Sequence, residues 1–180
     1  MRDKNQSTGR VLPDTKAPQL TLPLLGGGTL DLHEEASGAK NFLVVLFYRG
    51  LHCPICKKQL LDMQAHEDKF KEAGINVVAI SMDEEARARK SRADWGLQDL
   101  KMAHSLPEEV ARKWGLYIST AVKDGEPEVF SEPGMFILRP DGTVFGLTIQ
   151  SMPFTRPGGE EVLKSLSWVA ENGYPARGVA

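Results

Sequence analysis

Two runs of apolar residues dominate the hydrophobic pattern of this chain. They are NFLVVLFY at residues 41–48 and INVVAISM at residues 75–82. Both are short, continuous and rich in β-branched residues, which is typical of strands that are covered on both faces. Two parallel strands in the interior of one sheet are therefore predicted.

Two further stretches alternate between apolar and polar residues on either side of a turn. LTLPLLGGGTLDL, residues 20–32, alternates around a run of glycines, and GMFILRPDGTVFGLTIQ, residues 134–150, contains a Pro-Asp-Gly turn. Turn residues between β-rich segments indicate hairpins. We expect a short hairpin or a pair of edge strands near the N-terminus, and a longer hairpin near the C-terminus.

The remaining periodic segments have the spacing of helices. Four are predicted, at Lys57–Ala73, 83–96, 106–115 and 156–173. In the first of these segments, Leu60, Met63 and Phe70 fall near one face, and Gly74 ends the helix. In the second segment, Asp83 is the expected N-cap.

In chain order these elements are a hairpin followed by β, α, β, α, α, β, β and α. A parallel βαβ half joined to an antiparallel hairpin predicts an α/β sandwich, with a mixed central sheet and helices on both faces. A chain of 180 residues suits one domain. We place that domain at residues 13–172, between a polar tail at 1–12 and a short tail at 173–180.

Composition and charge exclude several classes of protein. Apolar residues make up 41% and charged residues 26%, as in folded globular chains. The formal net charge is −2 with acids and bases interspersed, so neither nucleic acid nor a membrane surface is an expected partner. The longest apolar stretch, Phe42–Phe47, is far below the roughly 18 residues of a membrane span. Because the N-terminus also lacks an apolar signal segment, we expect a soluble cytoplasmic protein.

Both cysteines of the chain lie in FYRGLHCPICKKQL, directly behind the first apolar run. The strand is expected to end near Tyr48, and Pro54 suits the first position of a helix, which makes Cys53 the N-cap. The helix dipole and the backbone N–H groups would lower the pKa of the Cys53 thiol. Cys56 lies one turn further on, at a Cα separation of about 5 Å that permits a disulfide. In a reducing compartment the pair is interpreted as a redox dithiol.

Three other roles for the cysteines are disfavoured by the sequence. Zinc requires two further ligands, and the histidines are scattered, at His33, His52, His66 and His104. Covalent haem attachment requires a CxxCH sequence, and Lys57 occupies its last position. Two inert buried thiols are unexpected in a Cys-Pro-x-Cys sequence at a strand-to-helix turn. We therefore predict neither a metal nor a cofactor.

These residues resemble a known family. VVLFYRGLHCPICKKQL, followed by INVVAISMD, EEVARKWGL and PGMFILRPDGTV, is similar to the alkyl hydroperoxide reductase C / thiol-specific antioxidant (AhpC/TSA) family. More narrowly, the chain resembles peroxiredoxin-like proteins with an F-Y-R-G-x-x-C-P-x-C signature, over about residues 17–172. The resemblance implies a thioredoxin-like sandwich, a hydroperoxide or disulfide substrate, and an external thiol donor of the thioredoxin, glutaredoxin or glutathione type. A homodimer is compatible with it.

The resemblance leaves the attacking cysteine open. In the thioredoxin register Cys53 attacks and Cys56 resolves, whereas in the peroxiredoxin register Cys56 takes the peroxidatic position. The arginine that peroxiredoxins carry on a later strand would fall at Pro133 and is therefore absent. Pro133 instead matches the cis-proline of thioredoxin-like oxidoreductases. Gly134 and Met135 would then line an apolar groove for a substrate.

The working hypothesis is a thiol-dependent peroxidase. The Cys53 thiolate attacks the O–O bond of a peroxide or the sulfur of a disulfide, and Arg49 steadies the developing negative charge. Cys56 then closes the disulfide, which an external thiol reduces. The predicted substrate site also includes the neighbours of the pair, Tyr48, His52 and Pro54.

Two other functions remain open from the sequence. One is general thiol–disulfide exchange on protein or small-molecule partners, and the other is a redox sensor or binding module that uses the same fold without turnover. Arg156, in MPFTRP before the last helix, also has two open roles. It either caps the core or approaches the rim of the active site.

Overall fold

The computed structural model describes residues 10–179. Its strands are β1 (Thr21–Pro23), β2 (Thr29–Asp31), β3 (Phe42–Phe47), β4 (Ile75–Ile80), β5 (Lys101–Ala103), β6 (Ile118–Thr120), β7 (Val129–Ser131), β8 (Gly134–Leu138) and β9 (Val144–Ile149). Its helices are α1 (Leu32–Ser37), α2 (Pro54–Ala65), α3 (Glu67–Glu72), α4 (Glu85–Trp95), α5 (Glu108–Lys113) and α6 (Gly159–Asn172). A five-stranded sheet in the order β5-β4-β3-β8-β9 forms the centre.

The strand β3 lies in the middle of this sheet because both of its faces are apolar. It pairs in parallel with β4 and antiparallel with β8, and all of its residues are buried. The parallel pair and the antiparallel hairpin β8–β9 give the mixed sheet that the sequence predicts. The carboxyl end of β3 consequently opens at an edge where the next helix begins, and this is where the cysteines lie.

Successive side chains of β3 point to opposite faces and supply two separate cores. Val44 and Leu46 pack in one core with residues of α2, α4 and α6. Leu43 and Phe47 pack in the other core with residues of α1, α5 and the hairpin β1–β2. The α/β sandwich with helices on both faces of the sheet is therefore confirmed.

The helix predicted over Lys57–Ala73 is wrong in one respect, because the structure divides it into α2 and α3 at His66. The imidazole Nδ1 of His66 lies 2.8 Å from the carbonyl oxygen of Asp62, which would otherwise accept the next helical bond. The His66 backbone N–H donates to Met63 instead, which tightens the last turn of α2. A side chain that competes for a backbone carbonyl thus ends the helix.

The predicted tails lie at the margins of the described residues. Residues 1–9 of the polar tail fall outside them, while Asp14 and Ala17 are already bonded by their backbones to the β8–β9 hairpin. In the C-terminal segment, Ala176 is buried. No helix within residues 10–179 is long and apolar enough to cross a membrane.

Candidate active site

The cysteine pair lies where β3 passes into α2. Pro54 occupies the first turn of the helix, and Cys53 is its N-cap, with an extended backbone at φ −106° and ψ 101°. The Sγ atom of Cys53 accepts a hydrogen bond from the backbone N–H of Cys56, at 3.2 Å. Cys53 is therefore the N-cap that the sequence predicts, with the N–H of Cys56 as its donor.

The two sulfur atoms lie in contact as a disulfide, with their Cα atoms 5.2 Å apart. Only 2% of Cys53 and 0% of Cys56 is exposed, and both residues belong to the core beneath α2. No acidic residue lies in the first turn of this helix. The pair is therefore held at the positive end of a helix dipole, without a neighbouring carboxylate on the same turn to offset it.

A guanidinium group lies directly against both sulfur atoms. Nη2 of Arg156 is 3.5 Å from Sγ of Cys56 and 3.9 Å from Sγ of Cys53. Arg156 belongs to the loop between β9 and α6, about a hundred positions beyond the cysteines in the chain. The sequence left two positions open for Arg156, and the structure places it beside the cysteine pair.

Neighbouring groups fix the orientation of Arg156. Its Nη1 donates to Oε1 of Gln59 at 2.8 Å, and its Nε donates to the carbonyl oxygen of Pro153 at 3.1 Å. Gln59 is buried and lies one helical turn beyond Cys56. Burial and the nearby Arg49 guanidinium lower the pKa of Arg156 to about 10. Because this pKa is still well above neutrality, the group that faces the sulfurs is a cation.

Arg49 is predicted to steady the thiolate, and the structure shows which groups contact its guanidinium. Its guanidinium pairs with Glu132 at 3.2 Å and with Glu126 at 3.8 Å, and it covers the ring of Phe130 at 4.7 Å. Two carboxylates therefore balance the charge that was expected to steady the thiolate. The contact with the sulfurs is made by Arg156. Arg49 joins the turn before Cys53 to the segments that flank β7, and its role in steadying the thiolate stays a prediction.

His52 precedes Cys53 but is not placed as a cationic partner. Its ring packs against that of Phe130, with centroids 4.6 Å apart, and neither ring nitrogen has a hydrogen-bond partner among residues 10–179. Burial, followed by the nearby charge of Arg49, lowers the pKa of His52. Burial and the neighbouring cation both disfavour a charged imidazole, so we attribute the positive field at the sulfurs to Arg156 and the helix terminus.

A buried carboxylate shapes the turn between β3 and the cysteines. Asp83 accepts the backbone N–H of Leu51 at 2.8 Å and Nε of Arg87 at 3.0 Å. Asp83 is therefore not the N-cap of α4 that the sequence predicts; that position is taken by Glu84, without a side-chain cap. The tight approach of Asp83 requires glycine at Gly50, where φ is +125° and an added Cβ would lie 2.6 Å from Oδ2.

Gly50→Ala is expected to lower the free energy of unfolding by about 3 kcal/mol or more, because it combines a disfavoured φ with a clash against a buried carboxylate. Gly27→Ala is the matched control, since Gly27 has a similar φ of +101° and nothing within 4 Å of an added Cβ. This control should lose only about 1–2 kcal/mol. Urea unfolding of both variants measures the difference. Equal losses of unfolding free energy would contradict the proposed close contact between Asp83 and the backbone at Gly50.

The remaining predicted substrate residues lie at different depths. Tyr48 and Met135 are buried in the same core as the cysteines, and burial raises the pKa of the Tyr48 hydroxyl. Pro133 precedes β8 through a trans peptide bond, since residues 10–179 contain no cis bond. A Cβ on Gly134 would lie 2.5 Å from the Leu116 side chain, so β8 is tightly packed at this position. Pro54 is exposed at the start of α2.

A cleft of about 380 Å³ opens beside the pair, between α2 and the loop that carries Arg156. Its walls are formed by Ile55, Lys58, Gln59, Asp62, Phe154, Arg156, Pro157 and Gly158. Arg156 and Gln59 separate this cleft from the sulfurs. No local sequence pattern predicts this cleft, because half of its lining follows the last strand. Within the described part of the chain, no three His, Cys, Asp or Glu side chains gather as a metal site.

Comparison with known proteins is consistent with this geometry. The model of the AhpC/TSA family matches residues 13–145. Two proteins of Mycobacterium tuberculosis, "Putative peroxiredoxin Rv2521" of strain H37Rv and "Putative peroxiredoxin MT2597" of strain CDC 1551, are each 30% identical to the chain over 132 residues. Each alignment covers 73% of this chain and 77% of the relative.

Solved structures share the fold at lower identity. A cysteine variant of peroxiredoxin 6 from Arenicola marina has a TM-score of 0.74 at 16% identity, covering 87% of this chain and 72% of that one. AhpC from Enterococcus faecalis has a TM-score of 0.71 at 22% identity, covering 92% and 98% of the two chains. These structures establish the thioredoxin-like fold, and the family match establishes the relationship. The chain belongs to the AhpC/TSA family, as a peroxiredoxin-like thiol oxidoreductase with two close cysteines in a CxxC arrangement.

Proposed function

We propose that this protein reduces small hydroperoxides through the Cys53–Cys56 pair, with an external thiol as the electron donor. One observation carries the proposal: the Arg156 guanidinium lies within 3.9 Å of both sulfurs, at the N-terminus of a helix. A positive group at this point stabilises a thiolate and an oxygen anion formed beside it. Membership of a family that includes peroxiredoxins supports the same activity.

Cys53 is the proposed nucleophile. As the N-cap, its sulfur is stabilised by the Cys56 N–H and by the helix dipole. Cys53 also retains a small exposed surface, whereas Cys56 is fully enclosed. A peroxide can therefore reach the sulfur of Cys53 with less rearrangement, and Cys56 remains close enough to resolve the product.

The proposed reaction has three steps: attack on the peroxide, closure of the disulfide, and reduction by the external thiol. The Cys53 thiolate attacks the terminal oxygen of a hydroperoxide, the O–O bond breaks, and the alkoxide leaves as an alcohol after taking a proton. Cys53 is thereby oxidised to a sulfenic acid. The thiolate of Cys56 then attacks that sulfur, which forms the disulfide and expels hydroxide, and the hydroxide takes a proton from solvent to become water. Two equivalents of external thiol reduce the disulfide and are themselves joined as a disulfide.

Arg156 supplies to this reaction the charge that a different arginine supplies in the standard peroxiredoxin arrangement. That arginine would fall at Pro133 and is therefore absent from this chain. Here the cation comes instead from the loop before α6, and Gln59 and the Pro153 carbonyl oxygen hold it over the sulfurs. The guanidinium is thus already oriented to stabilise the negative charge that develops on sulfur and oxygen. Little reorganisation of the site is then required during the reaction.

General thiol–disulfide exchange is the second candidate, because a CxxC pair at a helix N-terminus is also suited to that chemistry. The burial of both sulfurs favours small substrates over protein disulfides. Access to a protein disulfide would require the Arg156 loop to move away from the sulfurs. This difference in access separates the two functions in an assay.

The experiment follows peroxide consumption with dithiothreitol as donor and, in parallel, reduction of insulin disulfides by the same protein. We expect turnover in the first assay and rates near the uncatalysed background in the second. Turnover of insulin alone would establish the exchange enzyme instead. If neither assay shows turnover but the Cys53–Cys56 disulfide forms and is reduced reversibly, the protein is a redox sensor rather than either enzyme.

A further inference from the structure

The cleft beside the cysteines has a defined position relative to the reacting sulfurs. Ile55, Lys58, Gln59 and Asp62 follow one another on a single face of α2, at the spacing of successive helical turns. This face extends over about 10 Å from Ile55, which adjoins Cys56, to Asp62. Arg156 lines the cleft and also contacts the sulfur of Cys56. A molecule in the cleft is therefore one side chain away from the site of reaction.

The walls of the cleft are apolar on the side of the loop and cationic near the sulfurs. Phe154 is 69% exposed, although it is aromatic, and it faces the cleft together with the half-buried Ile55 and with Pro157. Lys58 is exposed and forms no salt bridge with any carboxylate of residues 10–179. The near end of the cleft thus combines an apolar surface with two cations, Lys58 and Arg156.

The one acidic group in the lining is already engaged. Oδ2 of Asp62 accepts the backbone N–H of Gly159 at 2.6 Å, and Oδ1 lies 3.5 Å from Nδ1 of His66. Asp62 is also at the far end of the helix face, away from the sulfurs. Asp62 lies only four residues from Lys58, but its Oδ2 is bonded to the first N–H of α6, where the positive end of that helix dipole offsets part of its charge.

We propose that this cleft binds the substrate as an amphipathic hydroperoxide that carries a carboxylate on an apolar chain. The carboxylate is held by Lys58, the chain lies on Ile55 and Phe154, and the hydroperoxy group approaches the sulfurs past Arg156. The product of the reaction is the corresponding hydroxy acid. This inference rests on the proposed peroxidase function, and it adds a preference for anionic over neutral hydroperoxides.

The test compares a medium-chain hydroperoxy carboxylic acid with its methyl ester, which differs only in charge. In the wild-type protein the KM for the acid should be roughly three- to five-fold lower than that for the ester, as expected for one partly exposed ion pair. Added salt should reduce this difference. Lys58→Gln should remove it, whereas Lys57→Gln is the matched control on the neighbouring position and should retain it. Equal KM values for acid and ester in the wild type would overturn the proposal.

A binding measurement separates this inference from the peroxidase function. Calorimetric titration of the reduced protein with the unreactive hydroxy acid and its methyl ester should give the same preference for the acid, and Phe154→Ser should weaken the binding of both. If these compounds bind as expected but no hydroperoxide is reduced, the cleft is supported and the proposed function fails. If hydroperoxides are reduced but the hydroxy acid does not bind, the cleft assignment fails. If Lys58→Gln raises the KM of the thiol donor instead, the cleft belongs to the reductant and the inference is overturned.

Discussion

Cys53→Ser is expected to lower the rate of peroxide consumption at least about 1,000-fold, to the background of the donor thiol alone, because the attacking sulfur is removed. Cys56→Ser should behave differently, since it removes only the resolving thiol. It should consume one equivalent of peroxide in a single turnover, and a dimedone-type trap should label a sulfenic acid at Cys53. With excess peroxide that sulfenic acid should gain further oxygen, because no neighbouring thiol intercepts it.

These two variants control for each other, since each replaces one buried cysteine by serine on the same helical turn. Mass spectrometry of the trapped products assigns the oxidised sulfur, and circular dichroism shows whether each variant is folded. The reverse pattern, with sulfenic acid trapped only in Cys53→Ser, would make Cys56 the nucleophile. The peroxiredoxin register of the sequence would then describe the chemistry better than the thioredoxin register.

Arg156→Ala is expected to lower kcat/KM for hydroperoxides about 100- to 1,000-fold, the effect of removing one preorganised donor from a developing anion. The guanidinium is the group nearest to the sulfurs that carries a positive charge, at 3.5 and 3.9 Å. Arg156→Lys should recover part of the loss, because it keeps the charge but not the planar contacts with Gln59 and the sulfurs. Steady-state kinetics with a fixed thiol donor measures both variants.

Arg177→Ala is the matched control for Arg156→Ala, because Arg177 is an exposed arginine bonded only to Tyr174 among its described side-chain partners. It should leave kcat/KM unchanged. Arg156→Ala should also raise the pH at which the cysteines become reactive, since the guanidinium no longer stabilises the thiolate. Equal kcat/KM values for Arg156→Ala and Arg177→Ala would contradict the role given to Arg156.

The fold and the cysteine pair could be predicted because their signals are local. A continuous apolar run is enough to indicate β3, and Cys-Pro-x-Cys directly behind it is enough to place Cys53 at the N-cap. The separation of the two cysteines follows from helix geometry alone. By contrast, β5, β6 and β7 have three residues each, which is too short for a periodic pattern to identify them.

The groups around the sulfurs could not be predicted because their partners are remote in the chain. Arg156 contacts residues about a hundred positions earlier, and Asp83 reaches back to Leu51 across the sheet. Proximity in sequence favoured Arg49, yet two distant carboxylates, Glu126 and Glu132, balance its charge in the folded protein. Sequence proximity therefore pointed to Arg49, whereas the guanidinium in contact with the sulfurs comes from a remote loop.

The most direct test of the account is the pH dependence of alkylation of the reduced protein, followed separately at Cys53 and Cys56 by mass spectrometry. Alkylation proceeds through the thiolate, so its rate rises with pH through the thiol pKa and is constant above it. We predict that Cys53 has already reached its plateau rate near neutral pH, because the helix terminus and Arg156 hold its pKa well below the ordinary value for a cysteine. A rate at Cys53 that continues to rise well into the alkaline range would contradict the account.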